Sequence, residues 1–280
     1  YSRAVNIGTF HAYHGSDRRY LFFRRLLMYW SNRLDGRIAV SKPAQDFIRR
    51  YFPGEYSIIP NGIDVEHFGA DVPPVDAFKD GKLNILFVGR LEQRKGLGYL
   101  LQAFSQVKKE RPDTRLIVVG PGVRLRRKYD RLIDKLGLED VVFTGYVPYS
   151  DLPMYYRTAD IFCAPATGKE SFGIVLLEGM AAGKPIVASN IEGYSSVVDN
   201  GEQGLLVPPK DDTGLARALL ELLGDASRRE EMGAKGRAKA QGYGWGRVAR
   251  MVQSYYLEVM ASSGKGNVTE LAEVRAADGP

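Results

Sequence analysis

The sequence predicts an α/β protein built on parallel sheet, and three observations carry that expectation. From Leu83 onward, short apolar runs alternate with segments of helical periodicity. Apart from an end residue the runs are continuously apolar, as expected of strands covered by helices on both faces. The unusual residues (paired glycines, clustered Arg and Lys, isolated Glu) fall just after the runs. In such sheets ligands bind at the carboxyl ends of the strands.

Taken in order, Val5–Phe10 reads as a strand ending in Thr9 and Phe10, with His11 just after it. Arg18–Asn32 reads as a helix in which Arg pairs alternate with aromatics. Gly36–Ser41 is a second strand, with Ser41 placed to cap a helix over Pro43–Tyr51. Tyr56–Ile59 is a third, stopped by the turn residues Pro60, Asn61 and Gly62. Residues 66–82 show little periodicity and read as a linker. Six further strands are expected at Asn84–Val88, Arg115–Val119, Val141–Thr144, Asp160–Ala164, Pro185–Ala188 and Gly204–Val207. Between and after them, helices are expected at Gly96–Arg111, Arg124–Leu136, Leu152–Thr158, Phe172–Ala182, Tyr194–Asn200 and Asp211–Leu223. Arg228–Gln241 and Trp245–Met260 read as closing helices, and 261–280 as a polar, disordered tail.

Composition narrows the class. The 280 residues suffice for two domains or one large one, and 44% apolar with 26% charged residues describes a globular chain with a real core. The lone cysteine, Cys163, lies in an apolar run. It excludes an internal disulfide framework, fits a reducing cytosolic compartment and reads as a small buried hydrophobe. No segment reaches the roughly 18 apolar residues of a membrane span, and the first residues lack a secretory signal. The chain does not open on Met and begins in what reads as mid-domain, so a fragment is expected. The net charge of +6 points to anionic partners without choosing among nucleotide diphosphate, lipid head group and nucleic acid.

The most informative stretch is 165–185, where Glu170 and Glu178 stand eight positions apart around a Gly-centred helix start. Glu170 precedes the helix and Glu178 lies inside it, and free N–H groups between them would favour an anion. Two acceptors flanking a phosphate cradle suit a nucleotide sugar. After the strand ending at Val88 comes Gly89, which permits close backbone approach. Arg90 and Lys95 then offer one fork-shaped and one point-like cation for a diphosphate. Gly120-Pro121-Gly122 is a tight turn, but neither a Walker loop nor a GxGxxG fingerprint. Tyr146 and Val147 follow a strand where a base could be held. His11 follows a strand, whereas His14 and His67 have no comparable context; His11 and His14 lack a third metal ligand. No Asp-x-Asp pair adjoins a phosphate site, so no metal is demanded. The helix at 18–30, with Arg18, Arg19, Arg24 and Arg25 among aromatics, suits either an anionic membrane surface or a core-facing stripe.

With these residues in hand, the chain resembles the GT4 family of GT-B glycosyltransferases, in particular bacterial phosphatidylinositol mannosyltransferases. The likeness runs from about Val5 to Met260. It rests on 60–64 (Pro-Asn-Gly-Ile-Asp), Phe87 to Arg90 with Lys95-Gly96, 159–165, 181–185 and 204–208. Most specific is Glu170 to Glu178, the family's E-x7-E signature. The resemblance implies an α/β GT-B protein of two Rossmann-like domains with parallel sheets, the first incomplete here. Residues 1–66 would be the acceptor side, 67–82 a linker, 83–241 the donor nucleotide-sugar domain, and 242–260 a helix crossing back.

It further implies retaining transfer of a hexosyl group, with GDP-mannose the favoured donor and a lipid-linked or phospho-inositol hydroxyl the acceptor, without a required cofactor or metal. Arg90 and Lys95 would hold the diphosphate beside Gly89, and Glu178 the ribose. Glu170 would orient the sugar, with the N–H groups of Gly173, Ile174 and Val175 contacting sugar and phosphate. Val147 would lie at the base, and His11 would stabilise the reacting sugar. Pro148 stands where GDP-using relatives often carry a polar residue, which leaves the base open to a UDP-sugar. A cytoplasmic protein, peripheral on the inner face of the plasma membrane, is the implied setting, and nucleic acid is not an expected partner. The competing readings are a nucleotide-sugar epimerase, a donor-binding fragment without transfer, and a non-enzymatic anionic-surface module.

Overall fold

The computed structural model describes residues 4–13 and 18–264. His14 and the stretch 265–280 lie outside the described residues. The chain divides into two compact units, one of 1–62 with 245–280 and one of 63–244.

In the first unit, β1 (Ile7–Phe10), β2 (Gly36–Ala39) and β3 (Ser57–Ile58) form a parallel sheet in that order, with Ile7 opposite Gly36 and Ile38 opposite Ser57. The helix expected over 18–32 is two, α1 (Arg18–Phe22) and α2 (Arg24–Ser31), because Phe23 leaves helical geometry at φ −88°, ψ 6°. Leu27 and Met28 turn toward the core around Phe47 and Tyr51. Phe22, Phe23, Leu26, Tyr29 and Trp30 stay exposed. The helix α3 (Lys42–Arg49) starts as its sequence demands: Ser41 Oγ accepts from Ala44 N–H at 3.2 Å, and Pro43 fills the first turn.

The second unit opens with α4 (Val65–Gly69), capped by Asp64, whose carboxylate accepts from His67 N–H at 2.9 Å. The stretch expected as linker therefore begins in a helix and packs inward: Phe68 is buried, and Val75 N–H donates to Thr158 Oγ1 at 2.9 Å. The chain then alternates β4 (Leu83–Val88), α5 (Leu97–Glu110), β5 (Thr114–Val119), α6 (Val123–Leu136), β6 (Val141–Gly145), α7 (Leu152–Thr158) and β7 (Ile161–Ala164). It continues through α8 (Ile174–Ala181), β8 (Ile186–Ser189), α9 (Glu192–Ser195), β9 (Gly204–Val207), α10 (Asp212–Gly224) and α11 (Ala226–Ala240). The segment expected as a helix over 194–200 is confined to the single turn of α9.

All strands of this sheet are parallel, in the order β6-β5-β4-β7-β8-β9. Every residue of β5, β7 and β8 is buried. The two-residue period of a strand sorts their side chains between two cores. Ile85, Phe87, Leu116, Val118, Ile161 and Cys163 join α5 and α10 on one face. Leu86, Ile117, Val119, Phe162 and Ala164 join α7 and α8 on the other. Cys163 is a core residue, as expected, and burial pushes its thiol far above the ordinary range.

The chain returns to the first unit in α12 (Trp245–Ser263). Val248 packs with Ile38 and Ile59. The Tyr255 hydroxyl accepts from Arg37 N–H at 2.8 Å and donates to Arg37 C=O at 3.1 Å, stitching helix to strand. Gly62 is required by this packing, since a Cβ there would lie 2.5 Å from the Trp245 ring.

Leu100, fully buried between α5 and the sheet, sets the scale of core packing. Leu100→Ala is expected to lower the stability of the second unit by about 2–5 kcal/mol, read as a fall in the urea midpoint. An unchanged midpoint would refute the packing described.

Candidate active site

In the second unit the strand order reverses between β4 and β7. The helix after β4, α5, covers one face and the helix after β7, α8, the other. Their connections part over the carboxyl ends of these strands, the place where parallel sheets bind ligands.

The two connections, 89–96 and 165–173, interlock. Thr167 N–H donates to Arg94 C=O at 2.8 Å. Gly96 sits at φ +77°, and a Cβ on it would come within 1.8 Å of Pro165 O, so only glycine allows this approach. Across the interlock, Glu170 Oε1 is paired with Arg94 and, at 2.8 Å, with Lys95 Nζ; Glu170 is 13% and Lys95 16% exposed. Arg94 Nε also reaches Glu92 at 2.8 Å, and Glu92 pairs with Arg90 at 3.0 Å. Arg90 is 69% exposed. Glu170 and Lys95, taken separately in the sequence as sugar and diphosphate contacts, are thus paired with each other. Arg94, which the sequence reading passed over, is the second cation on the carboxylate.

Gly173 precedes α8 in the left-handed region at φ +108°, and a Cβ on it would meet the Tyr194 ring at 2.8 Å. The helix begins at Ile174, so the N–H groups of Gly173, Ile174 and Val175 precede its regular bonding, where an anion is stabilised. Glu178 is the fifth residue of α8. Its Oε2 accepts from the Tyr156 hydroxyl at 2.7 Å. Burial pushes the Glu178 carboxyl above its ordinary range, opposed by the Tyr156 bond and then by the charges of His67 and Lys95. His67 stacks on Tyr149 at 4.5 Å and bonds the Tyr149 carbonyl through Nε2 at 2.9 Å. Neither Tyr156 nor His67 carried a signal in the sequence, because both lie in segments remote from the signature.

Gly89 N–H donates to Val119 C=O at 2.9 Å, and Gly120 N–H to Gly145 C=O at 2.8 Å, which knits the strand ends together. Val147 is half-buried against the α7–α8 core, with Tyr146 and Tyr149 exposed on either side. The second unit therefore gathers Lys95, Glu170, Glu178 and the start of α8, with Gly89, Arg90 and Val147 on adjoining loops. His11 belongs to the first unit, exposed just past β1. Among the described residues no cluster of His, Cys, Asp and Glu forms a metal site, and no helix is long and apolar enough to cross a membrane.

The two parallel sheets are those of the GT-B class. Among solved structures, sucrose-phosphate synthase from Thermosynechococcus elongatus superposes with a TM-score of 0.78 at 27% identity, over 91% of this chain and 68% of that one. The sequence profile of glycosyl transferases group 1 matches residues 71–239, and that of glycosyltransferase family 4 matches 2–67. The phosphatidyl-myo-inositol mannosyltransferase of Mycobacterium leprae is 35% identical over 261 residues, 92% of this chain and 68% of that protein. Its Mycobacterium tuberculosis counterpart is 36% identical over 269 residues, 94% and 70%. The chain belongs to glycosyltransferase family 4 and is a glycosyltransferase.

Because the folded state raises the Glu178 pKa, it holds this proton to higher pH than the unfolded chain does. Stability contributed by the protonated form is present at low pH and lost as pH rises through the folded pKa. Glu178→Gln is therefore expected to melt above the parent at pH 7.5 and to lose that advantage below the usual carboxylate range. A difference independent of pH in calorimetric melts would contradict the burial assigned to this carboxyl.

Proposed function

We propose that the chain is a retaining mannosyltransferase, moving mannose from GDP-mannose to a hydroxyl of a lipid-linked or phospho-inositol acceptor. The observation that carries this reading is the meeting of Lys95, Glu170 and Glu178 around the start of α8 at the strand-order reversal. The mannosyl donor and inositol-lipid acceptor are supported by the names of the mycobacterial relatives.

In this reading 83–241 is the donor side and 1–66 the acceptor side. Lys95 and Arg90 take the diphosphate, and the α8 N–H groups add to its field. As the bond from the sugar's anomeric carbon to phosphate oxygen breaks, negative charge grows on the departing diphosphate. The acceptor oxygen bonds that carbon from the same face, and its proton passes to the departing phosphate oxygen. Lys95 leaves Glu170 for the diphosphate, and Arg94 keeps Glu170 paired when it does so, so the carboxylate stays oriented toward the sugar. Glu178 accepts from the ribose, Val147 lies by the base and His11 stabilises the reacting sugar. No cofactor or metal ion takes part.

The exposed Phe22, Phe23, Leu26, Tyr29 and Trp30 adjoin exposed Arg24, Arg25 and Arg33. An apolar patch with a basic border suits a peripheral stance on an anionic bilayer, where a lipid acceptor resides.

Calorimetric titration of the chain tests the donor. GDP-mannose is expected to bind at least tenfold more tightly than UDP-glucose or UDP-N-acetylglucosamine, with Lys95→Ala weakening it about tenfold or more. Preference for a UDP-sugar would replace the donor, and no binding to any would overturn the reading. For the membrane, sedimentation with anionic vesicles is expected to fall severalfold in Arg24→Glu/Arg25→Glu. Binding unchanged by that charge reversal would refute the basic border's role.

A further inference from the structure

Tyr156 stands at the end of α7, outside both strand-end connections, yet it donates to Glu178 Oε2 at 2.7 Å. Among the described residues Glu178 Oε1 has no hydrogen-bond partner. Tyr156 has no exposed surface. Its ring is fixed edge-on by Phe68 at 5.5 Å and tilted against Phe162 at 5.3 Å, so the hydroxyl has one direction in which to point. Burial and the neighbouring Glu178 charge keep that hydroxyl protonated, hence a standing donor.

A carboxylate offers about four acceptor directions. One is used here by a rigid buried donor, and the oxygen left open lies on the same side chain one bond away. The other groups acting on Glu178 are the charges of His67 and Lys95, with Tyr149 nearby; among the described residues none of them hydrogen-bonds to it. Its orientation therefore depends on Tyr156. A glutamate held before the ligand arrives loses less rotamer freedom on binding than a free one.

We propose that Tyr156 is a positioning residue that anchors Glu178 by one oxygen and turns the other toward the vicinal hydroxyls of a ribose, making the site selective for ribonucleoside over 2′-deoxyribonucleoside diphosphates. This rests on Glu178 being the ribose contact. A buried acceptor aimed at a hydroxyl penalises the analogue lacking it, because the acceptor is then left unpaired.

The test is titration of the full chain with GDP and UDP and with their 2′-deoxy forms, for the parent, Glu178→Ala, Tyr156→Phe and Phe68→Leu. The parent is expected to bind a ribonucleotide about tenfold more tightly than its deoxy form, a ratio that Glu178→Ala abolishes. Tyr156→Phe keeps the ring and is expected to bring the ratio close to one while leaving deoxynucleotide affinity unchanged. Phe68→Leu keeps the hydroxyl but loosens its seat and should lower the ratio in part, which also covers a Tyr156→Phe protein that does not fold. A ratio retained in both variants, or equal weakening of ribo and deoxy forms, overturns the positioning role alone. No ratio in the parent, no loss of it in Glu178→Ala, or no nucleotide binding overturns the ribose reading, and the inference with it.

Discussion

Glu170 is held from across the site by Arg94 and Lys95, and much of the second unit serves to make that approach close. The carboxylate comes from the connection after β7 and the cations from the connection after β4. These two connections become neighbours only because β4 and β7 pair while their helices leave on opposite faces. A little-exposed charge with one partner removed is costly, so a second cation on Glu170 lets one cation serve another anion without stranding the carboxylate. Gly96 is the steric condition for all of this, since a side chain there would drive the two connections apart.

Behind the site lies a sheet whose central strands are buried on both faces. Such strands cannot relax toward solvent, so the positions of their carboxyl ends are set by two cores at once. At the amino ends of β4 and β7, Asn84 N–H donates to the Asp160 carboxylate at 2.7 Å, which ties the two strands together. The polar residues of the site are therefore placed by apolar packing well away from them. The first unit shows a related economy: β2 and α12 are far apart in sequence, yet Tyr255 closes both bonding groups of Arg37 in one contact.

Local chemistry made much of this legible. Alternating apolar runs located the strands of the second unit to within a residue or two, because doubly buried strands leave no polar face to blur them. Ser41 marked its helix because a cap is satisfied within three residues. Glu170, Glu178 and the Gly173 turn stand out because a helix start, its glycine and its flanking carboxylates lie on one short segment, and Lys95 because it follows a strand end closely. Where the reading differed from the structure, longer-range packing intervened. Phe23 breaks a helix that its pattern continues, because Leu27 and Met28 are drawn to the Phe47–Tyr51 cluster while Phe22 and Phe23 stay outside it. The segment after β8 forms only one turn, since Tyr194, Val197 and Val198 are drawn into the core beneath α8.

The amino-acid sequence by itself determined the α/β class, the parallel sheet and the residue types at each strand end, since these follow from periodicity and local turn chemistry. Only the tertiary structure decided which of those ends meet. That Lys95 rests on Glu170, that Arg94 joins it and that Glu178 leans on Tyr156 are consequences of strand order and of side chains 22 to 76 positions apart. No local pattern encodes such pairings, because they become defined only when the sheet has closed its two cores.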